Sequence, residues 1–344
     1  MRIATYNVEW FNALFDVDGN LLDDGEKSAR HDVTRSDQLA ALGIVLTAID
    51  ADAVMIIEAP DPGGKSATVL ALENFARVMQ LRARRAVVGF ENGTQQEIAL
   101  LYDPDALRVR HDPQGALSAG GDGHGDVPRF DRQFRIDLDI DAKKDSITFS
   151  KPPFELAAET ASGFRFRMIG AHLKSKAPHG AETRDQIMRM AISNRRKQQA
   201  QAVWLRQRVE AHLEAGDPLI LLGDLNDGPG LDEYEDLFGR SSVEIIMGAD
   251  APALLRLHDP HAHDAVKQRI GPLRATARFY LTSERRYLQA LLDYIMISPD
   301  LMARDPRWRI WHPFDDPGCW RYPELRDALL DASDHFPVTL DIDI

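Results

Sequence analysis

Residues 218–230 read PLILLGDLNDGPG, an apolar run at 219–222 that passes straight into Asp224, Leu225 and Asn226 and then a turn. A continuous apolar run bounded by Gly and Asp is the pattern of a strand covered on both faces. Side chains two apart on a strand point to the same side of the sheet. Asp224 and Asn226 would therefore emerge together at the strand's end. Asp, Asn, Gly and Pro also build turns for their own reasons, so the stretch alone leaves a plain turn open.

Similar runs recur along the chain: RIATYNV, ADAVMIIEA, RRAVVGF, EIALLY, FRFRMIGAHL, LLDYIMIS and FPVTLDIDI. Their lengths and their Val, Ile, Tyr and Phe suit strands. Two segments carry helical spacing instead. The stretch 36–52 opens with Ser36 as its N-cap and repeats Leu39, Leu42, Val45, Leu46 and Ile49. The stretch 183–216 carries Ala202, Leu205, Val209 and Leu213 on one stripe and stops at Gly216. Strands mixed irregularly with a few helices predict an α/β or α+β fold with helices outside sheets. No internal repeat and no long linker divides the chain, so residues 1–344 are read as one domain. Loop insertions are expected near 111–128, where SAGGDGHGDVP is too Gly-rich to pack, and near 306–327. The second holds three Trp and several Pro and reads as an irregular packed segment whose aromatics belong to a satellite core.

Composition narrows the function. With 44% hydrophobic and 28% charged residues, the 344-residue chain is ordinary for a globular protein. Its net charge of -13 excludes a generally basic surface for sequence-independent grip on nucleic acid. A single cysteine, Cys319, excludes an intrachain disulfide framework and reads as a buried, unactivated thiol. No apolar run reaches the ~18 residues of a membrane span, and the first residues start like a strand, not a signal peptide. A cytoplasmic protein without membrane insertion is the expectation. Three apparent motifs fail on spacing. DVDGN (16–20) has its Gly at the wrong offset for a calcium loop and no closing Glu. GGDGHG lacks the strand and helix of a dinucleotide fingerprint. HDPHAHD (258–264) has no helix-face zinc pair and reads as a solvated loop.

The informative pattern is what stands at the ends of strands. RIATYN delivers Asn7, AVMIIE delivers Glu58, and FRMIGAH delivers His172. LILLGDLN delivers Asp224 and Asn226, ALLDYIMIS carries Asp293, and DASDHFPVTL presents Asp334 and His335. Each has an ordinary structural explanation taken singly, as a cap, an ion pair or a satisfied core histidine. Together they are carboxylates, carboxamides and two imidazoles, without a thiol or an activated serine. Oxygen donors are the ligand chemistry of a hard divalent cation, and imidazoles serve proton transfer.

With these residues in order, the chain resembles the endonuclease/exonuclease/phosphatase superfamily of Mg²⁺-dependent phosphodiesterases. TYNVEW looks like its first motif, IIEAP its metal-Glu motif and GAHLKSK its His motif. GDLND is similar to Asp-x-Asn, LDYI to Asp-x-Ile, and SDHFPV to the terminal Ser-Asp-His-x-Pro-Val motif. FSKPPFEL resembles the family's Arg-Pro-Pro segment with Lys151 in place of Arg, which keeps a point charge but loses the bidentate fork. The carboxylate that orients the first His in this family would fall at Gln96 or Glu97. The resemblance implies a four-layer α/β sandwich of two packed mixed sheets flanked by helices. It also implies Mg²⁺, with Mn²⁺ as a substitute, held by Glu58 with Asn7 and Asp334. Asp224 and Asn226 would orient the nucleophile and phosphate, and His172 would donate to a phosphate oxygen. The base is Asp224 or else His335 supported by Asp293. The basic residues Lys174, Lys176, Arg195, Arg196 and Lys197 follow the His motif, so nucleic acid is the leading expected substrate. The alternatives are a small-molecule or lipid-headgroup phosphoester, and a catalytically silent binding module. No obligatory protein partner is implied.

Overall fold

The computed structural model describes residues 1–61, 63–94, 96–116, 127–137, 145–178, 180, 183–229, 238–267, 274–281 and 285–344. The GGDGHG segment lies outside them.

The apolar runs form two principal sheets. One has six strands in the order β14 (Arg307–Ile310), β15 (Val338–Asp341), β1 (Arg2–Asn7), β2 (Ala53–Ala59), β4 (Glu97–Tyr102) and β3 (Arg85–Val88). The other has five: β13 (Asp293–Ile297), β10 (Leu219–Asp224), β9 (Arg165–His172), β8 (Phe154–Thr160) and β5 (Leu107–His111). Two small hairpins complete the strands, β6 (Phe134–Ile136) with β7 (Asp145–Ile147), and β11 (Ala277–Leu281) with β12 (Arg286–Ala290). Both large sheets mix parallel and antiparallel pairs; β1–β2 and β9–β10 are the parallel ones.

Alternation along the strands assigns each face. On β1 and β2, Ile3, Ala53, Met55 and Ile57 belong to the core shared with the five-stranded sheet. Their neighbours Ala4, Tyr6, Val54 and Ile56 pack instead with α1 (Arg35–Ile49), α2 (Lys65–Val78) and the late helix over Pro323–Ala332. The second sheet is covered on its far side by α3 (Arg184–Ala215), through Ala202, Leu205 and Val209. The layers are therefore helix, sheet, sheet, helix, the four-layer α/β sandwich expected from the sequence. That stacking explains why residues 219–222 are uniformly apolar: the strand is buried on both sides.

Helix ends follow local chemistry, with one correction. The first helix is capped by Thr34, whose hydroxyl accepts from the Asp37 N–H at 3.1 Å, and not by Ser36. Its stripe at 39, 42, 45, 46 and 49 is buried as expected. The long helix starts in a capping box at Thr183 and ends at Gly216 in the left-handed region. The 306–327 segment is corrected as well. It supplies the edge strand β14 and short helical turns; Trp311 is buried, whereas Trp320 is half-exposed. The 258–264 segment is not a solvated loop. It begins the helix Pro260–Lys267, with buried Asp259 accepting from the N–H groups of His261 and Ala262. Asp16 of the false calcium loop is satisfied by the N–H groups of Asp18 and Asn20. Cys319 is buried, and its thiol is pushed up to about 11, chiefly by burial, as an unactivated cysteine should be.

One glycine is indispensable. Gly223 precedes Asp224 at φ +136°, and a Cβ there would sit 2.0 Å from the Ala171 carbonyl oxygen of β9. Gly163 has φ +88° but open space around it. Gly223→Ala is expected to destabilise by ~3 kcal/mol or more through forced separation of β9 and β10. Gly163→Ala is expected to cost only ~1 kcal/mol of left-handed strain. Denaturant melts of the two variants check this; equal losses would contradict the close-approach argument.

Candidate active site

Register brings the polar strand ends to one level. Asp224 ends β10 opposite His172 of the parallel strand β9 and opposite Asp293 of the antiparallel strand β13. Cross-strand partners share a face, so the three side chains project together toward the other sheet. From that sheet Asn7 reaches across and donates its Nδ2 to Asp224 Oδ2 at 3.0 Å, between residues 217 apart in the chain.

Glu58 joins this group by breaking the alternation. Strict period two would turn it outward with Val54 and Ile56. The pairing of β2 with β4 instead shifts between Ile57 and Ala59, and Glu58 takes φ +62°. A bulge of this kind re-aims one side chain, and here it turns Glu58 into the cleft. The strained backbone costs ~1–3 kcal/mol.

The last motif arrives through a loop before β15. Ser333 Oγ donates to the Asn7 carbonyl at 2.8 Å and accepts from the His335 N–H at 3.1 Å, tying the loop to β1. His335 Nδ1 lies 2.7 Å from Asp293 Oδ2, while its Nε2 lies 4.0 Å from both Asp224 and Asp334 carboxylate oxygens. His172 Nε2 stands 3.6 Å from Asp224 Oδ2, and Lys151 Nζ is 3.2 Å from each of the His172 ring nitrogens.

Asn7, Glu58, Lys151, His172, Asp224, Asp334 and His335 line a cleft of about 910 Å³, whereas Asp293 and Ser333 are not among its lining residues. Gln96 also lines it. The Glu97 carboxylate instead accepts from the backbone and side chain of Asn92. Lys151 reaches His172. Lys176 lines the cleft, but its Nζ is 2.5 Å from buried Asp227, which also stands 3.6 Å from Arg195. Lys174 is half-buried and is not among the described lining residues. Among the lining residues that escaped the sequence reading, two stand beside the polar groups. Glu9 pairs with Arg30, and Trp10 is half-exposed in the left-handed region with its N–H 3.4 Å from Glu58 Oε2. The signal for Glu9 was its place two residues after Asn7.

Desolvation governs the electrostatics. Asp224 is pushed up to about 7, first by burial and then by neighbouring Asp293, against the opposing pull of His335. Burial, followed by carboxylate repulsion, also raises Glu9 and Asp334. Glu58 is raised by burial, opposed by Lys151. Burial alone would lower His335, but Asp293, Asp224 and Asp334 together raise it well above its ordinary value. His172 is lowered well below its ordinary value by burial, then by Lys151.

The donor set fits a divalent cation. Among the described residues, Asn7 Oδ1 is buried without a hydrogen-bond partner, and the Glu58 carboxylate accepts a long bond from the Trp10 N–H. Asp224, Asp293 and His335 also offer ligand atoms within 4.8 Å of one another. Their lone pairs are largely spent, however: His335 Nδ1 on Asp293, and the Asp224 oxygens on Asn7 and Asn226. Unspent oxygens are found at Asn7 and Glu58, and also at Asp293 Oδ1, which is buried without a hydrogen-bond partner among the described residues.

The model of the endonuclease/exonuclease/phosphatase family matches residues 4–335. The chain belongs to this family, whose members hydrolyse phosphate esters and typically depend on a divalent metal. Among solved structures, it is similar to TDP2 from Caenorhabditis elegans at 13% identity and a TM-score of 0.51, covering 100% of this chain and 74% of that one. It is also similar to the mannosyl-6-phosphatase Bt3783 of Bacteroides thetaiotaomicron at 15% identity and a TM-score of 0.50, covering 100% of both. No curated protein matches the sequence. At such identities the likeness is one of fold.

Two stability measurements test this geometry. Glu58→Gly relieves the left-handed strain, so it should melt no lower than the wild type while losing the upward shift produced by Mg²⁺. A full Mg²⁺ shift in that variant would remove Glu58 from the cation site. In EDTA, Asp224 keeps its proton in the folded state between its unfolded value near 3.8 and about 7. Stability from this group therefore falls as pH rises through that window. His335, raised on folding, contributes stability below its unfolded value and loses it as pH rises through its folded one. Both act in the same direction, so melting at pH 8 should lie below that at pH 5.5, with a smaller gap in Asp224→Asn.

Proposed function

We propose that this protein is a divalent-metal-dependent phosphodiesterase that hydrolyses its substrate by attack of an activated water. The observation that carries the reading is the convergence of Asn7, Glu58, His172, Asp224, Asp334 and His335 on one cleft. A silent binding module has no use for so many desolvated carboxylates, which destabilise the fold unless a cation or chemistry needs them. Glu58, with Asn7 and Asp334, would hold Mg²⁺ or Mn²⁺. When bound, the cation neutralises negative charge developing on the phosphate.

The chain's own residues handle protons and orientation. Asp224, poised near neutral pH by burial, is the base that takes the proton from water. Asn226 positions it: its N–H and Nδ2 donate to Asp224 at 2.7 and 3.2 Å, and Nδ2 also donates to the Leu173 carbonyl at 3.1 Å. With both side-chain partners on the protein, Asn226 acts on the base more than on the phosphate. His335 sits among three carboxylates and is the protonated partner, held by Asp293 and facing the phosphate as imidazolium. His172, kept neutral, donates one N–H to a non-bridging oxygen, with Lys151 beside it.

For the substrate, nucleic acid was favoured by the basic residues after the His motif. Asp227 engages both Lys176 and Arg195 and offsets one of their two charges, so these two lend that reading less support than their number suggests. A small or lipid-like phosphodiester gains from the same observation and from the -13 net charge.

EDTA should abolish hydrolysis, and Mg²⁺ or Mn²⁺ should restore it; full turnover in EDTA would overturn the proposal. Asp224→Asn and His335→Gln should each lower kcat by ~10³-fold or more while remaining folded. The pH profile of kcat/KM should be bell-shaped, its acid limb set by deprotonation of Asp224 and its alkaline limb by proton loss from His335. His335→Gln should erase the alkaline limb only. A panel of plasmid, single-stranded DNA, RNA, phosphomonoesters and small phosphodiesters assigns the class. A steep fall of cleavage with salt marks backbone contact.

A further inference from the structure

The β11–β12 hairpin stands apart from both large sheets and is anchored beside the catalytic imidazole. Ala277 bridges His335, the Phe336 N–H donates to the Thr276 carbonyl at 2.6 Å, and the Phe279 ring lies edge-on to His335 at 5.5 Å. Register pairs Phe279 with Leu288 and Tyr280 with Tyr287, which sorts the hairpin into two faces. One face carries Phe279, Leu281 and Leu288 into the cleft, with exposed Arg286 opposite Leu281 at its far end; Leu292, just past β12, lines the cleft too. The other carries Arg278, Tyr280 and Tyr287, and both tyrosines are half-exposed. A second apolar contribution comes from the start of α3, where Ile187 and Ala191 line the same cleft and Ile187 is 40% exposed.

A two-stranded hairpin is marginal in water, and leaving three large apolar side chains on its open face weakens it further. Meanwhile two cations that line the cleft, Lys176 and Arg195, are turned onto buried Asp227, whose other oxygen accepts from the Ser242 N–H at 2.6 Å. The cleft therefore combines a polar floor suited to one phosphate with walls that are apolar where they meet that floor. A polynucleotide would lay its next phosphates along those walls. An apolar group would cover them.

We propose that the hairpin and the start of α3 form an apolar subsite for a phosphodiester with an alkyl or aryl group on the ester arm beside the scissile bond. The inference rests on the phosphodiesterase reading and names its substrate class. The subsite is continuous with the catalytic groups through Phe279, so an arm seated there fixes the phosphate's position as well as adding contact.

A series of p-nitrophenyl phosphodiesters tests this, with the leaving group held constant. The second arm is methyl, butyl, octyl, phenyl or thymidine, and hydrolysis is followed in Mg²⁺. kcat/KM is expected to rise about threefold per methylene over the first few carbons, with the phenyl ester also above methyl. A rise only along the alkyl arms points to a lipid-like substrate, and one only at phenyl points to an aryl ester; either supports the subsite. In Leu288→Gln the butyl-to-methyl ratio is expected to fall at least fivefold. Because this is a ratio within one variant, a general loss of activity cancels. Ile187→Gln, at an exposed position on a separate element, repeats the test should the hairpin variant misfold. A flat series, a thymidine ester preferred over every apolar arm, or ratios unchanged in both variants would overturn the inference. Failure of every member of the series to react, with Mg²⁺ or Mn²⁺ present, would instead count against the phosphodiesterase reading.

Discussion

The hydrogen bond from the Asn7 amide to the Asp224 carboxylate at 3.0 Å joins the polar ends of β1 and β10, strands of the two different sheets. Much of the site is arranged about it. It requires the sheets to meet with both strand ends at one level, which the apolar alternation of β1, β2, β9 and β10 achieves. It also places a carboxylate where water is excluded, and burial then pushes Asp224 to about 7. Packing and acid–base character are thus two results of one contact. The remaining Asn7 oxygen, buried without a partner among the described residues, is the corresponding unfilled valence.

Strain and desolvation concentrate at this place. Glu58 and Asn226 both adopt positive φ, and Asn is far the better suited to it. Gly223 makes the close approach of β9 to β10 possible immediately before Asp224. Local departures from ideal geometry are expected where side chains must be aimed for chemistry. At the opposite end of the sandwich Asp50 and Asp305 also take positive φ, but both are exposed. There Arg2, Arg82 and Arg84 form ordinary ion pairs with surface carboxylates.

The charge balance acquires a local meaning once partners are known. A run such as NRRKQQ looks like a grip for a polyanion. In the folded protein Arg195 is 1% exposed and directed toward Asp227, a residue that the linear pattern treats as part of a turn. Lys176 ends on the same carboxylate. Basic residues near a site do not make a basic site when a buried acid collects them. Beside the clustered polar groups stands a wall that is apolar at Phe279, Leu281 and Leu288, built by one face of the β11–β12 hairpin.

The sequence by itself determined the class of fold, the positions of nearly all the strand-end residues, and their chemical kind. Buried strands, a glycine at a helix end and polar residues at strand ends each leave a local signature in residue type and spacing. Helix starts and the 258–264 and 306–327 segments were less legible, because a cap or a short edge strand depends on which backbone groups the rest of the fold leaves unpaired. Tertiary structure alone decided the inward turn of Glu58, which follows from a bulge against β4 and runs counter to strand periodicity. It alone chose Gln96 over Glu97 as the cleft residue, committed Lys176 and Arg195 to Asp227, and brought the β11–β12 hairpin against His335. These are contacts between residues tens to hundreds of positions apart. Such contacts depend on how the layers stack, and pattern along one strand carries no record of that.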